Sequence, residues 1–492
     1  MADPVCLIIP PSGFLLDERV FMSLGILRVA AILEKSGIAV EVLDLSGISN
    51  YLEAAADHAT ATKTRIFGLT ATTPQLPAAM ATAKVIRDIQ KNARMILGGP
   101  HVTLVNAAFK NNPDGRAKKA LSEINDSFDV LVAGDGEFAI FEALRPDAPR
   151  IIDADNPKSP SGLFLNNKSL EKLPWPARHL VDVESYHYTI EGERALSIIA
   201  QLGCPFECGF CGGRNSPTFR QVRRRSSENI IREMVHLYRI YEVKGFMFYD
   251  DELNVSKNLV ELTRLIANTQ RDLNVEWKLR GFIKSEIFTN EQARAMREAG
   301  FRWILTGFES GSSQILKNIN KKATREDNSR CIEIAHRHGL KVKALMSIGH
   351  PGESINTIQE TEKWLLETKP DDFDVSIITV YPGTPYYDEA VPFDKPGIWA
   401  YTYAKTGDRL YQLDLNYANT ANYYKGRPGG GYSAYVYTDF MSAEALVRER
   451  DRIERTVREK LGIPFNPSAS ATRYEYSMGQ HGLSPLIFRV SK

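Results

Sequence analysis

Short apolar runs alternate with amphipathic stretches through the first 134 residues of the chain. Runs with the length of buried strands occur at 5–9, 39–43, 66–70, 95–97 and 130–132. Residues 24–35 and 77–92 have the apolar periodicity of helices. Strands that alternate with helices predict a parallel, doubly wound, Rossmann-like α/β sheet, whose ligand lies beyond the carboxyl ends of the strands.

A second series of strand and helix patterns follows in barrel order. Its strand candidates lie at 195–202, 245–249, 275–281, 303–308, 341–348 and 375–380. Helical patterns separate them, as at 229–241 and 326–338, and Thr324 is a candidate cap for the second of these helices. Six strand–helix units indicate a partial (β/α)6 barrel of TIM type, with functional groups at the C-terminal ends of its strands.

These patterns divide the chain into four parts. We predict a Rossmann-like domain at 1–150, a linker at 151–190, the partial barrel at 191–390 and a small α-rich cap at 391–492. The linker is rich in Pro, Asp and Asn. The last part is rich in tyrosine, contains a glycine-rich loop at 426–431 and ends in a charged amphipathic helix at 442–461. It is either a packed cap that contributes substrate contacts or a lid that excludes solvent.

Composition sets limits on location and partners. The 492 residues carry a formal net charge of +1, so no global field favours nucleic acid or an anionic membrane. Hydrophobic residues make up 43%, and nowhere do 18 apolar residues run together, so we expect no membrane span. Five cysteines do not indicate a disulfide framework. We therefore expect a cytoplasmic protein with no secretion signal.

Three of the five cysteines lie in one tight loop. Cys204, Cys208 and Cys211 have the spacing C-x3-C-x2-C. A four-iron cluster is normally held by four thiolates, so three cysteines leave one iron free to bind a substrate or cofactor. A zinc loop or a chance cluster is the alternative, although zinc sites usually take four protein ligands in two pairs.

The cysteine spacing resembles the signature of the radical S-adenosylmethionine (SAM) enzymes, and Phe210 before the third cysteine also fits it. The resemblance implies a [4Fe-4S] cluster bound by the three cysteines, with SAM on the open iron. It also implies that polar groups at the strand ends hold SAM. Those candidates are Asp250, Asp251 and Glu252 after the second barrel strand, Arg280 on the third, and Glu309 and Ser310 after the fourth.

The strand ends of the first domain resemble the cobalamin-binding domain of one large radical SAM subgroup, the class B methyltransferases. The residues that carry this likeness, and that we predict to bind cobalamin, are Leu24, Gly25, Thr70, Thr72, Thr73, Pro74, Gln75, Gly98, Gly99, His101, Val102, Gly134 and Glu137. A D-x-H-x-x-G motif is absent from the sequence, so we interpret His101 as a loop residue rather than a cobalt ligand. The loop 72–75 is the candidate surface beneath the cobalt. A flavodoxin-like domain without a cofactor is the alternative.

Together these resemblances imply an enzyme with three cofactors, a [4Fe-4S] cluster, SAM and cobalamin. The commonest chemistry of the subgroup is methylation of an unactivated carbon through methylcobalamin, here on a small metabolite, with an electron donor such as flavodoxin or ferredoxin. Members that perform rearrangement or cyclisation without methyl transfer are the first alternative. An iron–sulfur electron carrier or cofactor-binding module is the alternative from another class. Substrate identity and oligomeric state are not readable from the sequence.

Overall fold

A computed structural model describes residues 3–12, 18–424, 426 and 431–464. Most of the glycine-rich loop at 426–431, and residues 465–492 of the predicted C-terminal part, lie outside the described residues. No helix in the described part of the chain is long and apolar enough to cross a membrane.

The first domain is a six-stranded parallel sheet with the strand order β2-β1-β3-β4-β5-β6. Its strands are β1 (Val5–Ile9), β2 (Val40–Asp44), β3 (Ile66–Thr70), β4 (Arg94–Gly98), β5 (Val130–Gly134) and β6 (Ile151–Ala154). Its helices are α1 (Leu24–Lys35), α2 (Tyr51–Ala61), α3 (Leu76–Ile89), α4 (Pro100–Asn111), α5 (Arg116–Asn125) and α6 (Gly136–Ala143). Helices cover both faces of the sheet, which explains why β1 is apolar along its whole length.

Strand β6 lies in the segment that we predicted to be a linker. It pairs with β5 in parallel and extends the first sheet four residues past the predicted boundary at residue 150. This strand was hard to predict, because only three residues separate the proline at 149 from the Asp- and Pro-rich stretch that begins at residue 153. The rest of the connection contains the short helix α7 (Asn167–Lys172) and two single 3₁₀ turns at 178–180 and 183–185.

The second domain is a curved sheet with the strand order β15-β14-β13-β12-β11-β8-β7. Its strands are β7 (Thr189–Ile190), β8 (Glu193–Ile198), β11 (Gly245–Phe248), β12 (Lys278–Phe282), β13 (Phe301–Glu309), β14 (Lys341–Ile348) and β15 (Asp372–Ile377), and a separate pair is formed by β9 (Gln201–Leu202) and β10 (Arg223–Arg224). Strand β7 is antiparallel, whereas the other six are parallel and form the partial barrel.

Helices follow the barrel strands, and the longer ones bury one apolar face. They are α8 (Pro217–Arg220), α9 (Ser227–Tyr241), α10 (Leu259–Leu273), α11 (Asn290–Glu298), α12 (Ser313–Asn318), α13 (Arg325–Arg337), α14 (Ile355–Thr368) and α15 (Pro385–Asp388). The predicted cap of α13 is confirmed, because the Thr324 hydroxyl accepts a hydrogen bond from the Asp327 N–H at 3.1 Å. The fold class is therefore the predicted α/β arrangement of a doubly wound sheet and a partial barrel.

The C-terminal part contains a helix that the sequence predicted and a small sheet that it did not. Helix α16 (Ala443–Leu461) begins after Ser442, whose hydroxyl caps it. Four antiparallel strands precede the helix, namely β16 (Val391–Pro392), β17 (Ile398–Thr402), β18 (Arg409–Leu413) and β19 (Val436–Thr438). Their tyrosines alternate too irregularly with polar residues to indicate strands from the sequence.

Helix α16 covers the open edge of the barrel at β15. Strand β15 is the last strand of the curved sheet, so the outward-facing backbone groups of Phe373, Val375 and Ile377 have no neighbouring strand among the residues that the structure describes. The Arg450 guanidinium donates to the Val375 carbonyl at 2.9 Å, and the Glu454 carboxylate accepts from the Val375 N–H at 2.7 Å. Side chains of the helix thus take the place of a missing strand.

Side chains bond two further backbone groups of this edge in the same way. Arg458 donates to the Phe373 carbonyl, and the Tyr432 hydroxyl accepts from the Ile377 N–H at 3.1 Å. The Arg458 Nε atom also bonds Glu454 at 2.7 Å, which makes a buried ion pair within the helix. Side chains thus bond the carbonyls of Phe373 and Val375 and the N–H groups of Val375 and Ile377 without a further strand.

Candidate active site

The three cysteines lie on an irregular loop that begins at the end of the first barrel strand. Hydrogen bonds hold both sides of this loop: the Cys204 N–H donates to the Phe219 carbonyl at 2.8 Å, and the Gly209 N–H donates to the Ile319 carbonyl at 2.9 Å. The loop starts at Gly203, whose φ of +86° and close approach to the Gln221 carbonyl exclude any larger residue.

Two carboxylates after β11 support the base of the cysteine loop. Asp250 is buried and accepts hydrogen bonds from the N–H groups of Ala200 at 3.1 Å and Gln201 at 2.5 Å. Asp251 accepts from the Gly203 N–H at 3.1 Å. Burial raises the pKa of Asp250 to about 7. The structure thus shows Asp250, which we predicted to contact SAM, engaged with the loop backbone.

The three thiols are close enough to influence one another. Burial raises the pKa of Cys204 to about 11, and the Cys208 thiolate adds to this effect. Cys211 reaches the surface, but desolvation around its sulfur, followed by the Cys208 and Cys204 thiolates, raises its pKa as well. Three thiolates can therefore coexist here only with a compensating cationic group, which fits a bound iron cluster.

Two lysines that the sequence analysis missed face this loop. Lys284 and Lys321 are both buried, and both oppose the rise that burial causes in the pKa of Cys208. The Lys284 Nζ atom lies 4.8 Å from the ring centroid of Phe206, within the loop. Lys284 lies in the turn after β12, and Lys321 lies after α12. Neither belongs to a sequence motif, so their proximity to the cysteines is seen only in the folded chain.

Glu309, the last residue of β13, contacts one of these lysines. It has a left-handed backbone with φ of +66°, which a non-glycine residue adopts only when its surroundings fix it. Lys321 donates to its Oε1 atom at 3.3 Å, and the Ser347 hydroxyl donates to Oε2 at 2.8 Å. Ser310, the other residue predicted after this strand, instead bonds the hydroxyl of Thr361 on α14 at 3.0 Å.

A buried histidine extends this hydrogen-bonded set. His350 Nε2 is 2.7 Å from the Ser347 hydroxyl, and His350 Nδ1 is 3.4 Å from the Tyr386 hydroxyl. Burial lowers the pKa of His350 to about 4, so the ring is neutral. Since Ser347 donates to Glu309, the neutral ring donates from Nε2 and accepts at Nδ1. The ring of Phe210 packs on it with centroids 5.1 Å apart.

Arg280 points into the barrel from β12. It is 4% exposed, and its Nε and Nη2 atoms have no hydrogen-bond partner in the described part of the chain. Its guanidinium lies 5.4 Å from the ring centroid of Trp303. A buried guanidinium with free donors fits an anionic ligand group such as a carboxylate.

A cavity of about 420 Å³ lies between the strand ends of the first sheet and the barrel. Nine of the thirteen residues predicted to bind cobalamin line it, namely Leu24, Gly25, Thr70, Thr72, Gln75, Gly98, Gly99, Gly134 and Glu137. The other four, Thr73, Pro74, His101 and Val102, are buried but do not line it. A side chain added at Gly25 would meet no atom within 4 Å, so the wall is open there to a large ligand.

His101 is held away from a ligand role by its surroundings. It is buried, its Nδ1 atom is 3.1 Å from the Thr73 hydroxyl, and its ring lies 6.0 Å from that of Tyr417. Burial lowers its pKa to about 3, which keeps the ring neutral. His101 lies in the first turn of α4, so its interpretation as a loop residue was wrong; Pro100 at the start of that helix gave the segment the appearance of a loop in the sequence.

The barrel side of the cavity was not predicted from the sequence. It includes Tyr249, Asp251, Phe219 and Arg223, and the Arg223 guanidinium forms a buried ion pair with Asp135 of the first domain. These residues come from the strand ends and the loop near the cysteines, and their shared position depends on how the two domains pack. Gly203 also lines the cavity, directly before Cys204. The cysteine loop and the cavity therefore share a wall.

Comparison with protein families identifies both domains. The radical SAM superfamily model matches residues 198–365, and the B12-binding domain model matches residues 18–125. The first range covers the cysteine loop and most of the barrel. The second covers the cavity-lining residues between Met22 and Pro100 and ends before those at Gly134 and Glu137.

Among curated proteins, an uncharacterized methyltransferase of Pyrococcus horikoshii is 27% identical over 66% of this chain and 69% of its own. The anaerobic magnesium-protoporphyrin IX monomethyl ester cyclase of Rubrivivax gelatinosus is 23% identical over 72% of this chain. That match spans 64% of the cyclase, just under two thirds of its length.

Among solved structures, the radical SAM methyltransferase TsrM from Kitasatospora setae superposes with a TM-score of 0.63 at 18% identity, covering 82% of this chain and 81% of TsrM. That structure holds cobalamin and a [4Fe-4S] cluster, and another structure of TsrM holds tryptophan and a SAM analogue. At this identity the likeness concerns the fold.

Proposed function

Because the chain belongs to the cobalamin-dependent radical SAM enzymes, we propose that it methylates an unactivated carbon of a small metabolite. One observation carries the proposal: the cysteine loop and the glycine-lined cavity adjoin at Gly203 and Asp251, which line the cavity and support the loop. A radical formed at one site and a methyl group held at the other must reach the same substrate carbon, so the two sites must be neighbours.

The proposed reaction divides the work between the cofactors. When bound, the cluster supplies an electron that cleaves SAM to a 5′-deoxyadenosyl radical, and cobalamin supplies the methyl group. The deoxyadenosyl radical would take a hydrogen atom from the substrate carbon and become 5′-deoxyadenosine, and the carbon would then take the methyl group from methylcobalamin. After reduction by the electron donor, cobalamin would take a new methyl group from a second SAM and release S-adenosylhomocysteine. An sp3 carbon has no electron pair with which to attack SAM directly, so removal of hydrogen must come first.

We propose that Cys204, Cys208 and Cys211 hold the cluster. Glu309 offers an acceptor to the amino group of SAM, and Arg280 offers a cationic donor to its carboxylate. Phe210, between Cys208 and Cys211, would also contact SAM. Glu252, Asp251 and Ser310 remain candidates at the same strand ends, whereas Asp250 supports the loop backbone. Lys284 and Lys321 balance the negative charge of the thiolates.

We propose that cobalamin occupies the cavity. The strand-end backbone at Gly98, Gly99 and Gly134 allows a planar ligand to approach closely, while the hydroxyls of Thr70 and Thr72 can bond its amide groups. The C-terminal part would contribute substrate contacts. An electron donor such as flavodoxin or ferredoxin would reduce the cluster.

Cyclisation or rearrangement without methyl transfer is the second candidate. The similarity of this chain to the cyclase of Rubrivivax gelatinosus over 372 aligned residues favours it. The two reactions share the hydrogen abstraction and differ in the fate of the substrate radical. They are therefore separated by their products, not by the cofactors they bind.

The test uses anaerobically reconstituted protein with cobalamin, SAM and a strong reductant, and measures 5′-deoxyadenosine and S-adenosylhomocysteine. We expect both products in the wild type and in Cys331→Ala, whose buried thiol lies outside the loop, and neither in Cys208→Ala. Deoxyadenosine without S-adenosylhomocysteine would favour the second candidate. A reducible cluster that never cleaves SAM would overturn the proposal in favour of an electron carrier.

A further inference from the structure

A second group of metal-ligating side chains lies in the first domain, away from the cysteine loop. Cys6 on β1, Glu41 on β2 and His58 on α2 bring a thiol, a carboxylate oxygen and an imidazole nitrogen within 4.8 Å of one another. None of the three lines the cavity between the domains. The proposed function leaves this group without a role.

The fold holds the three side chains on rigid elements. Cys6 and Glu41 are direct partners across the parallel strands β1 and β2, so their side chains share one face of the sheet. Helix α2 packs on that face through Ala55 and Ala59, and His58 comes from the same helix. Ligands fixed on strands and a helix need little rearrangement to bind an ion.

Two of the three distances between the ligand atoms match those of a tetrahedral site, and the third, between sulfur and oxygen, is at most 4.8 Å. The Cys6 Sγ atom is 3.4 Å from His58 Nε2, and the same Nε2 is 3.3 Å from Glu41 Oε1. Around a zinc ion with bonds of about 2.3 Å to sulfur and about 2.0 Å to nitrogen and oxygen, tetrahedral angles separate sulfur from nitrogen by about 3.5 Å and nitrogen from oxygen by about 3.3 Å.

Hydrogen bonding alone explains these contacts poorly. A neutral imidazole nitrogen carries either one proton or one lone pair, so Nε2 of His58 cannot give both Cys6 and Glu41 a full hydrogen bond. A cation between the three atoms uses the lone pair of the nitrogen and both anionic groups at once. A divalent ion with one thiolate, one carboxylate and one neutral imidazole also leaves the site electrically neutral.

We propose that Cys6, Glu41 and His58 bind one Zn²⁺ ion, with water as the fourth ligand. A set of one soft thiolate, one imidazole and one carboxylate selects zinc over magnesium or calcium. Binding replaces the S–H bond of Cys6 by a sulfur–zinc bond and releases the proton to solvent. Thr62 donates to Glu41 Oε1 at 2.8 Å, a contact that orients the carboxylate from behind.

Solvent can reach the site from one side. The side chains of His58 and Glu41 are 25% and 41% exposed, while Cys6 is 0% exposed. The ion can therefore enter beside the imidazole and carboxylate and meet the thiolate at the floor. The site ties α2 to the edge of the first sheet, so its ion stabilises the domain without taking part in the radical reaction.

The test loads the holoprotein, with its iron cluster in place, with one equivalent of ZnCl₂, removes free metal by gel filtration and measures zinc by mass spectrometry. We expect about one zinc per chain in the wild type and in Cys331→Ala, and a loss of at least about tenfold in His58→Ala and Cys6→Ser. Cys331 is the matched control, since it is equally buried but is not part of the group.

Two further readouts make the assignment specific. Zinc X-ray absorption should show one sulfur at about 2.3 Å and lighter ligands near about 2.0 Å. The triple variant Cys204→Ala, Cys208→Ala, Cys211→Ala should retain the zinc, which separates this site from adventitious binding to the cysteine loop. Retention of cobalamin by His58→Ala verifies that the first domain is still folded.

Zinc absent from the wild type, or retained equally by His58→Ala, would overturn the inference. Zinc that disappears with the cluster cysteines would do so as well. These outcomes are independent of 5′-deoxyadenosine formation, so the zinc site and the proposed methylation can fail separately.

Discussion

The cysteine loop and the glycine-lined cavity are adjacent, yet they prepare for their ligands in opposite ways. The loop is irregular backbone that presents three thiols, and buried carboxylates and lysines surround it. The cavity lies at the ends of parallel strands, and glycines at those ends, such as Gly98, Gly99 and Gly134, form part of its wall. One site therefore depends on a few reactive side chains, and the other on the space that side chains leave free.

The largest effect should come from removing a thiol. Cys208→Ala should abolish cluster binding and SAM cleavage, because the two thiolates that remain in the loop are too few to hold a four-iron cluster. Iron content and the cluster absorbance check this. Cobalamin binding should remain, since the cavity is formed by other residues; its loss together with the cluster would contradict the separation of the two sites.

A bulky residue in the cavity wall should reduce cobalamin binding. Gly25→Phe should weaken cobalamin binding by at least about tenfold, or about 1.4 kcal/mol, because the new ring occupies space that is open in the wild type. Gly25→Ala is the matched control and should bind nearly normally. Cobalamin retained through gel filtration is the measurement, and iron content should be unchanged in both variants.

His350 tests how far the loop region depends on support from other elements. His350→Phe keeps the ring volume but removes the hydrogen bond to Ser347 and so loosens Glu309. We expect about a tenfold rise in the Kd for SAM, with cobalamin binding unchanged. His350→Gln restores a donor and should recover part of the affinity. Equal affinity in the wild type and both variants would show that Glu309 needs no such support.

The smallest effect concerns Asp250 and pH. Burial raises the pKa of this carboxyl from 3.8 to about 7 in the folded chain. Between these pH values the folded state binds a proton that the unfolded state has lost, so the contribution of Asp250 to stability falls as pH rises through this window. The side-chain amide of Asp250→Asn does not titrate, so the stability of this variant lacks that pH dependence.

Thermal unfolding of the wild type and Asp250→Asn between pH 5 and pH 8 measures the effect. The melting temperature of the wild type, taken relative to the variant, should decrease by a few degrees as the pH increases. Asp272→Asn, at an exposed position of α10, is the control and should follow the wild type. A constant difference between wild type and Asp250→Asn would mean that Asp250 is ionised throughout.

Much of the fold could be predicted because its signals are local. Apolar runs such as that of β1, and the capping threonine before α13, indicate elements wherever they occur. The fold class was predicted in this way and is confirmed. The radical SAM and cobalamin-binding domains and their three cofactors were predicted from the resemblance of the cysteine spacing and the strand ends, and the family models bear them out. Strand β6 and the C-terminal sheet were missed, because their patterns are short and depend on neighbours distant in sequence.

The sites were predictable where a motif or a strand end marks them. The residues proposed to bind the cofactors stay predictions, although the cavity collects nine of the thirteen at its wall. Lys284, Lys321 and the Arg223–Asp135 pair could not be found, since each is an ordinary charged residue until packing buries it. Asp250 shows the converse: its strand-end position indicated a ligand contact, but its carboxylate bonds the backbone.

The side chains of α16 that complete the edge of β15 make the order of synthesis matter. Arg450 and Glu454 are translated more than seventy residues after the strand whose backbone they bond. Until they emerge from the ribosome, the nascent barrel carries an open strand edge that could pair with another chain. Once α16 has formed, the edge of β15 can no longer pair with a strand of another chain. We therefore expect a chain that stalls before this helix is translated to aggregate.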